Sequence, residues 1–362
     1  MFEITTDIKL NKRTIRSGIK DVVKSAKSVA LEYVNDTQPG FLRRRNGKNF
    51  YYLDGKKKVD DKNQLERIKK LVLPPAWEDV WICKLENGHL QATGYDMLKR
   101  KQYRYHTNWN LVRNHTKFYR LLDFGKQLPL IREHLEKDLA LTGYPQEKVL
   151  AVVVSLLERT NIRVGNSFYE KLYGSFGLTT LKNKHVDITG NQLHFTFKGK
   201  KGVKHSISLN SKRLSRIVKG CKDIPGKELF EYYDNEGEIH TVDSGMVNQY
   251  IRTISNGDFT AKDFRTWAGS VQAFVAFKEL GDYESETEKK QKIAAALDMV
   301  ASQLGNTRTV CRKYYVHPVL SELYEGKKLG KYFDLLEDKR NELKNTGLIP
   351  EEHMLMKILE GH

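Results

Sequence analysis

The spacing of apolar and polar positions divides the chain into two regimes. Between about residues 40 and 110 the apolar runs are short: FLRRR, NFYYL, KKKV, VWICKLE and HLQATGY, with Asn46-Gly47 and Asp54-Gly55 between the first three. Short alternating runs separated by such turn dipeptides predict a small antiparallel sheet. Beyond Trp109 the period lengthens to that of a helix, in IREHLEKDLAL, EKVLAVVVSLLERT and EKKQKIAAALDMVASQLG. In the last of these Ile293, Leu297, Val300 and Leu304 fall on one face. Inside the helical part, HVDITGNQLHFTFKGKKGVKHSISL alternates in three runs separated by Gly190-Asn191 and Gly199-Lys200-Lys201-Gly202, which predicts a three-stranded meander. The expected fold class is therefore α+β. A β-rich N-terminal domain covers residues 1–113 and a mainly helical domain, carrying the inserted meander, covers 114–362.

At 362 residues the chain is too long for one ordinary core, which agrees with two domains. Charge adds a partner. Lys and Arg number 62 against 45 Asp and Glu, a net charge of +17, and residues 1–110 hold 23 basic against 13 acidic side chains. Concentrated positive charge points to a polyanionic partner and a dedicated binding surface. Cys83, Cys221 and Cys311 are an odd number without paired spacing, which argues against a disulfide framework or a zinc site. MFEITTDIKLNKR lacks an apolar signal core and no stretch reaches the ~20 apolar residues of a membrane span, so a cytoplasmic location is expected, on the nucleoid in a bacterium.

Several chemistries find no motif here. The chain has no G-x-x-x-x-G-K-[ST] phosphate loop, no H-E-x-x-H, no G-x-S-x-G and no carboxylate cluster for a two-metal nuclease. His185, His194 and His205 lie on expected strands without Cys or carboxylate companions, and read as hairpin histidines rather than ligands. Basic residues at structural junctions remain, followed by a tyrosine: Arg163 in TNIRVGN, Lys200 in a glycine-flanked turn, Arg265 in KDFRTW and Tyr315 in LGNTRTVCRKYYVHP. Singly, each fits a surface ion pair, a solvated turn or a core aromatic.

In combination they carry a resemblance. LPPAWEDVW, QATG, KQYRYH, IRVGN, LTTLKNKHV, FKGK, KDFRTW and LGNT…YYVHP occur in the order found in type IB DNA topoisomerases, and the chain resembles the compact poxvirus and bacterial form from about Leu73 to Pro318. The resemblance implies an enzyme that nicks one strand of duplex DNA through a 3′-phosphotyrosyl intermediate, lets the strand rotate, and reseals it as a monomer without metal or nucleotide cofactor. It implies Tyr315 as nucleophile, with Tyr314 left as a packing residue, Arg163 and Arg265 as the catalytic arginines, and Lys200 as the hairpin lysine. Asn306 stands where poxvirus members carry a histidine, and would offer a neutral hydrogen-bond donor.

These residue types suit the reaction. Two guanidiniums hold nonbridging phosphate oxygens with forked donors that stay charged at any working pH, and a lysine beside a phosphate can protonate the leaving 5′-oxygen. For DNA contacts, alternation along KQYRYH puts Tyr103 and Tyr105 on one strand face and Arg104 on the other. Lys262 lies one helical turn before Arg265, and Tyr169 matches a family tyrosine that touches the DNA backbone, with core packing of SFYEKLY as its alternative. Arg43, Arg44 and Arg45 read as further phosphate contacts or exposed charge. Two alternatives stay open: a tyrosine recombinase, whose H-x-x-R box is here Lys262-x-x-Arg265, and a basic DNA-binding protein without catalysis.

Overall fold

The alternating segments of the N-terminal part pair into one sheet in the computed structural model, which describes residues 22–47, 49–97, 99, 101–340, 342 and 347–362. After a short helix α1 (Val22–Lys27) come β1 (Gly40–Asn46), β2 (Asn49–Asp54), β3 (Lys57–Lys58), α2 (Lys62–Lys70), β4 (Glu78–Cys83), β5 (Leu90–Tyr95) and β6 (Lys101–Tyr105). The strands form a six-stranded antiparallel sheet in the order β3-β2-β1-β4-β5-β6. The run KKKV yields only the two residues of β3, while Val59 turns into the core.

Helix α2 was absent from the pattern reading, although Asp61 followed by Gln64 is a helix-start signal. The Asp61 carboxylate accepts from the Asn63 and Gln64 amides at 2.8 and 3.2 Å. Arg43 corrects a second expectation: it is only 7% exposed. Its guanidinium donates to the carbonyls of Pro74 at 3.0 Å and Trp77 at 2.6 Å, so it staples the LPPAW turn to the sheet instead of meeting solvent, whereas Arg44 and Arg45 are exposed. Trp77 in turn lies over Gly94, where a β-carbon would come within 2.9 Å of its ring. That packing explains why LPPAW and QATG occur together.

The chain divides into two compact units after Arg120, within the long helix α3 (Thr107–Leu139). The second unit continues with α4 (Gln146–Thr160), α5 (Ser167–Tyr173), β7 (Val186–Thr189), β8 (Gln192–Lys198), β9 (Lys204–Asn210) and α6 (Lys212–Asp223). A small hairpin of β10 (Glu231–Tyr233) and β11 (Ile239–Thr241) follows, then α7 (Ser244–Ser255), α8 (Ala261–Leu280), α9 (Glu286–Leu304), α10 (Arg308–Tyr314), α11 (Pro318–Glu325), α12 (Gly330–Lys339) and α13 (Pro350–Gly361). The predicted meander is present as β7-β8-β9. Ile293, Leu297, Val300 and Leu304 are all buried along α9, as their spacing requires. The β10–β11 hairpin was not foreseen.

Helix α4 is apolar on nearly every face because it runs through the core, with Val149 through Leu157 all buried. Around it, Phe124 meets Phe259, Phe264 and Trp267 edge-on at centroid distances of 5.4, 4.9 and 6.0 Å. One partly buried ionic group ties three helices: Arg132 of α3 bonds Glu158 of α4 at 2.7 Å and the buried Glu352 of α13 at 2.8 and 2.9 Å, and the Trp267 indole donates to Glu352 at 2.9 Å. Burial raises the Glu158 carboxyl above its ordinary range even though Arg132 opposes the shift. Replacing Arg132 with Met strands two carboxylates in the core. We expect the variant to lose about 3 kcal/mol of stability or more in denaturant unfolding, and an unchanged midpoint would contradict the role given to this group.

Candidate active site

Three separated stretches of the second unit converge on one place. The first is the end of α4, where Asn161 closes the helix in the left-handed conformation at φ 56° and turns the chain into IRVGN. That segment is held extended by LTT, since the Leu178 and Thr179 amides donate to the Arg163 and Val164 carbonyls at 2.9 and 2.7 Å. Arg163 therefore leaves a backbone fixed on both sides. Its Nη2 donates to Asn306 Oδ1 at 2.7 Å and to the Gly305 carbonyl at 3.3 Å.

Gly305 ends α9 at φ 57°, a conformation costly for other residues, and a β-carbon there would also lie 2.4 Å from the His205 ring. The turn presents Asn306 with its amide oxygen toward Arg163 and its Nδ2 toward the Leu304 carbonyl at 3.2 Å. In this arrangement Asn306 serves Arg163 as an acceptor. The amide donor expected from the sequence is engaged by the Leu304 carbonyl.

Arg265 projects inward from the second turn of α8 and is 4% exposed. Its guanidinium donates to the Asn161 carbonyl and, at 2.8 Å, to the Leu304 carbonyl. Both acceptors stand at helix C-termini, where carbonyls lack intrahelical partners and carry the negative end of the helix dipole. Burial, and after it the neighbouring Arg163 charge, lowers the Arg265 guanidinium below its ordinary pKa, with Tyr315 acting in the opposite direction. A guanidinium nevertheless stays a cation at neutral pH.

Tyr315 caps α10 and is half-buried. Its ring centroid is 5.2 Å from the Arg265 Cζ, and its side chain is hydrogen-bonded to Arg265. Helix α8 sets the tyrosine's backbone as well. At Gly269, one turn beyond Arg265, the missing side chain lets the Tyr315 carbonyl approach, and Ser270 Oγ donates to that carbonyl at 3.3 Å while accepting from the His317 amide at 3.0 Å. Tyr314 had been expected to pack inside. It is 37% exposed, under Lys313, because it lies on the outer side of the helix end. Cys311 lies beside the arginines, and burial pushes its thiol up to about 11, which keeps it an inert filler.

Lys200 sits apart, exposed on the turn between β8 and β9, and has no hydrogen bond or ion pair with the other four among the described residues. The turn is closed by the Gly199 amide donating to the Val203 carbonyl at 2.7 Å. Lys200 and Arg163 line one groove of about 600 Å³ together with Tyr169, Tyr173 and Lys198. Tyr169 stacks on Tyr173 at 6.1 Å, and no residue of α5 is buried, so core packing of SFYEKLY is ruled out. Lys262 is exposed in the first turn of α8.

In the first unit, Tyr103 and Tyr105 share a face of the edge strand β6 as alternation required, stacked at 5.9 Å and 5°, with Arg104 exposed. Tyr103 is 48% exposed, while Tyr105 leans on the buried cluster that contains Trp109. The meander histidines have separate partners. His194 meets Ser208 at 2.9 Å, His185 accepts from the Lys182 amide at 3.0 Å, and His205 stacks on Phe197. Sequence reasoning gave His205 no role, yet it lies against the Gly305 turn. The available signal was its place on the inward face of a strand one turn away from Lys200.

The chain belongs to the type IB DNA topoisomerase family. Residues 100–341 match the eukaryotic DNA topoisomerase I catalytic core and residues 49–96 the bacterial DNA topoisomerase IB N-terminal domain. Among individual relatives, it is 32% identical over 296 residues to the DNA topoisomerase 1B of Acanthamoeba polyphaga mimivirus, covering 79% of this chain and 88% of that one. The vaccinia virus (strain Copenhagen) DNA topoisomerase 1B and the monkeypox virus DNA topoisomerase I are each 24% identical over 280 residues, covering 74% of this chain and 84% of theirs. No helix among the described residues is long and apolar enough to cross a membrane.

Proposed function

We propose that this topoisomerase acts through Tyr315, with Arg163, Arg265 and Asn306 around the scissile phosphate and Lys200 as the acid for the leaving group. The reading is carried by the convergence of Arg163, Asn306, Arg265 and Tyr315 from three distant stretches of sequence. The Tyr315 hydroxyl attacks phosphorus, its proton passing to water as the O–P bond forms. The bond from phosphorus to the 5′-oxygen breaks, and Lys200 Nζ gives that oxygen a proton, leaving a 3′-phosphotyrosine and a 5′-hydroxyl. Two guanidiniums stabilise the charge that accumulates on the nonbridging oxygens. The linkage conserves the energy of the broken diester, so religation is the same step reversed and requires no nucleotide. Between the two steps torsion turns the free end, and supercoils relax.

Lys198, Tyr169 and Lys262 extend the positive, aromatic surface for the duplex backbone, and Tyr103, Arg104 and Tyr105 provide another on the N-terminal unit. Binding weakens with salt as counterions return to the phosphates. The helical unit is read as the catalytic fold shared with tyrosine recombinases, working as a monomer in the cytoplasm. The deciding experiment incubates the protein with supercoiled plasmid in excess EDTA, quenches with denaturant and maps the DNA-linked peptide. A ladder of relaxed topoisomers and a 3′-phosphate on Tyr315 are expected. Linkage at Tyr314, a 5′ linkage or recombinant plasmids would refute the assignment.

A further inference from the structure

The site described so far has two parts, the Arg163–Asn306–Arg265–Tyr315 cluster and a lysine on an exposed turn, and one side chain lies between them. His205 sits on β9, directly across from Phe197 of β8, at the end of the face that Leu193 and Phe195 bury. The two rings stack at 4.9 Å and 18°. From there the imidazole reaches both turns. A β-carbon on Gly199, the residue before Lys200, would lie 2.6 Å from His205 Nε2, and one on Gly305, the residue before Asn306, would lie 2.4 Å from His205 Cε1. Both glycines leave the space that the ring occupies.

We propose that His205 is a positioning residue: a flat strut, backed by Phe197, that sets the distance of the Lys200 turn from the Gly305–Asn306 turn and so brings the lysine to the 5′-oxygen. This rests on the acid role given to Lys200 above. The turn's own hydrogen bonds, Gly199 to Val203 and Gly202 to Gly199, close it on itself, and the histidine is what spaces it from the Gly305–Asn306 turn. The tip residues Lys200, Lys201 and Gly202 are all exposed, whereas Gly199 is buried under the histidine. Burial, and then the charges of Arg163 and Arg265, hold the imidazole below its ordinary pKa, so it acts by shape and contact with no added positive charge. Misplacing a reacting group by about 1 Å can cost up to about a hundredfold.

The test uses single-turnover cleavage of two duplexes, one ordinary and one in which the scissile 5′-oxygen is replaced by sulfur. On the second, the tyrosine oxygen bonds to phosphorus, the P–S bond breaks and the sulfur departs as a thiolate, which needs no proton from the enzyme. His205→Ala is expected to slow cleavage of ordinary DNA about tenfold to a hundredfold, to leave duplex affinity unchanged, and to recover near wild-type rate on the sulfur substrate. Phe197→Leu, which keeps the histidine but removes its backing ring, shows a smaller loss with the same recovery, and decides the matter if His205→Ala fails to fold. In a Lys200→Ala background His205→Ala adds no further loss. A variant equally slow on both substrates, no loss on ordinary DNA, or multiplicative losses in the double variant would overturn the proposal. Lys200→Ala itself separates the two ideas. If it is not rescued by sulfur, the acid role fails; if it is rescued and His205→Ala is not, only the strut fails.

Discussion

Tyr315→Phe leaves a protein that binds duplex DNA with unchanged affinity, forms no covalent adduct and relaxes no supercoils. The substitution removes one oxygen from a half-buried ring whose packing against the core is otherwise kept, so folding and the basic surface persist while the covalent route disappears. Loss of a nucleophile reaches the order of 10⁶-fold in well-studied hydrolases, and here no other group replaces it. Tyr314 is the obvious substitute by sequence, but it is exposed and the cation over its ring is Lys313, whereas Arg265 lies over Tyr315. Plasmid relaxation and denaturant-trapped adduct, measured beside filter binding, check this. Residual relaxation at more than a trace level, with an adduct elsewhere, would remove Tyr315 from the centre of the mechanism.

Arg265→Lys costs nearly as much as Arg265→Ala, on the order of 10²- to 10³-fold in the cleavage rate, with a much smaller change in DNA affinity. The reason is geometric. The guanidinium donates in two directions, to the Asn161 and Leu304 carbonyls, and meets Tyr315 on a third side. An ammonium is a point charge on a flexible stem and cannot span both carbonyls in one orientation. Single-turnover cleavage with saturating enzyme isolates the effect from binding. A lysine variant close to wild-type rate would show that charge alone suffices and that the planar anchoring is incidental.

How much of this was legible beforehand depended on whether the signal was local. Periodicity alone gave the meander and the buried face of α9, because alternation and helical spacing are properties of neighbouring residues. The β10–β11 hairpin escaped because each strand has only three residues and β11 is wholly exposed, so no alternation develops. Arg43 escaped for a different reason: a basic triplet looks solvated until the carbonyls of Pro74 and Trp77, more than thirty positions away, are brought over it. At the candidate site, the resemblance names Arg163, Lys200, Arg265, Asn306 and Tyr315, and four of these, all but Lys200, are linked in the fold. It did not disclose what holds them. Asn161 and Leu304 act through backbone carbonyls that no side-chain pattern reports, and Tyr314 was separated from Tyr315 only by the end of a short helix. His205 had no motif at all, since its contacts are with two glycines and a ring.

The anchoring of Arg265 by two helix ends has a further consequence. Among the described residues the acceptors that Arg163 and Arg265 engage are carbonyl, amide and phenol oxygens, with no carboxylate paired to either guanidinium. The protein thus folds around two cations for which it supplies only partial countercharge, and in the proposed mechanism the DNA phosphate supplies the rest. A carboxylate there would make the resting protein more comfortable, yet it would have to be expelled whenever substrate arrived. Leaving the charge unbalanced couples stability to substrate. If the scissile phosphate binds between the two guanidiniums as proposed, mass action makes the phosphate that is cut also tighten the fold that cuts it.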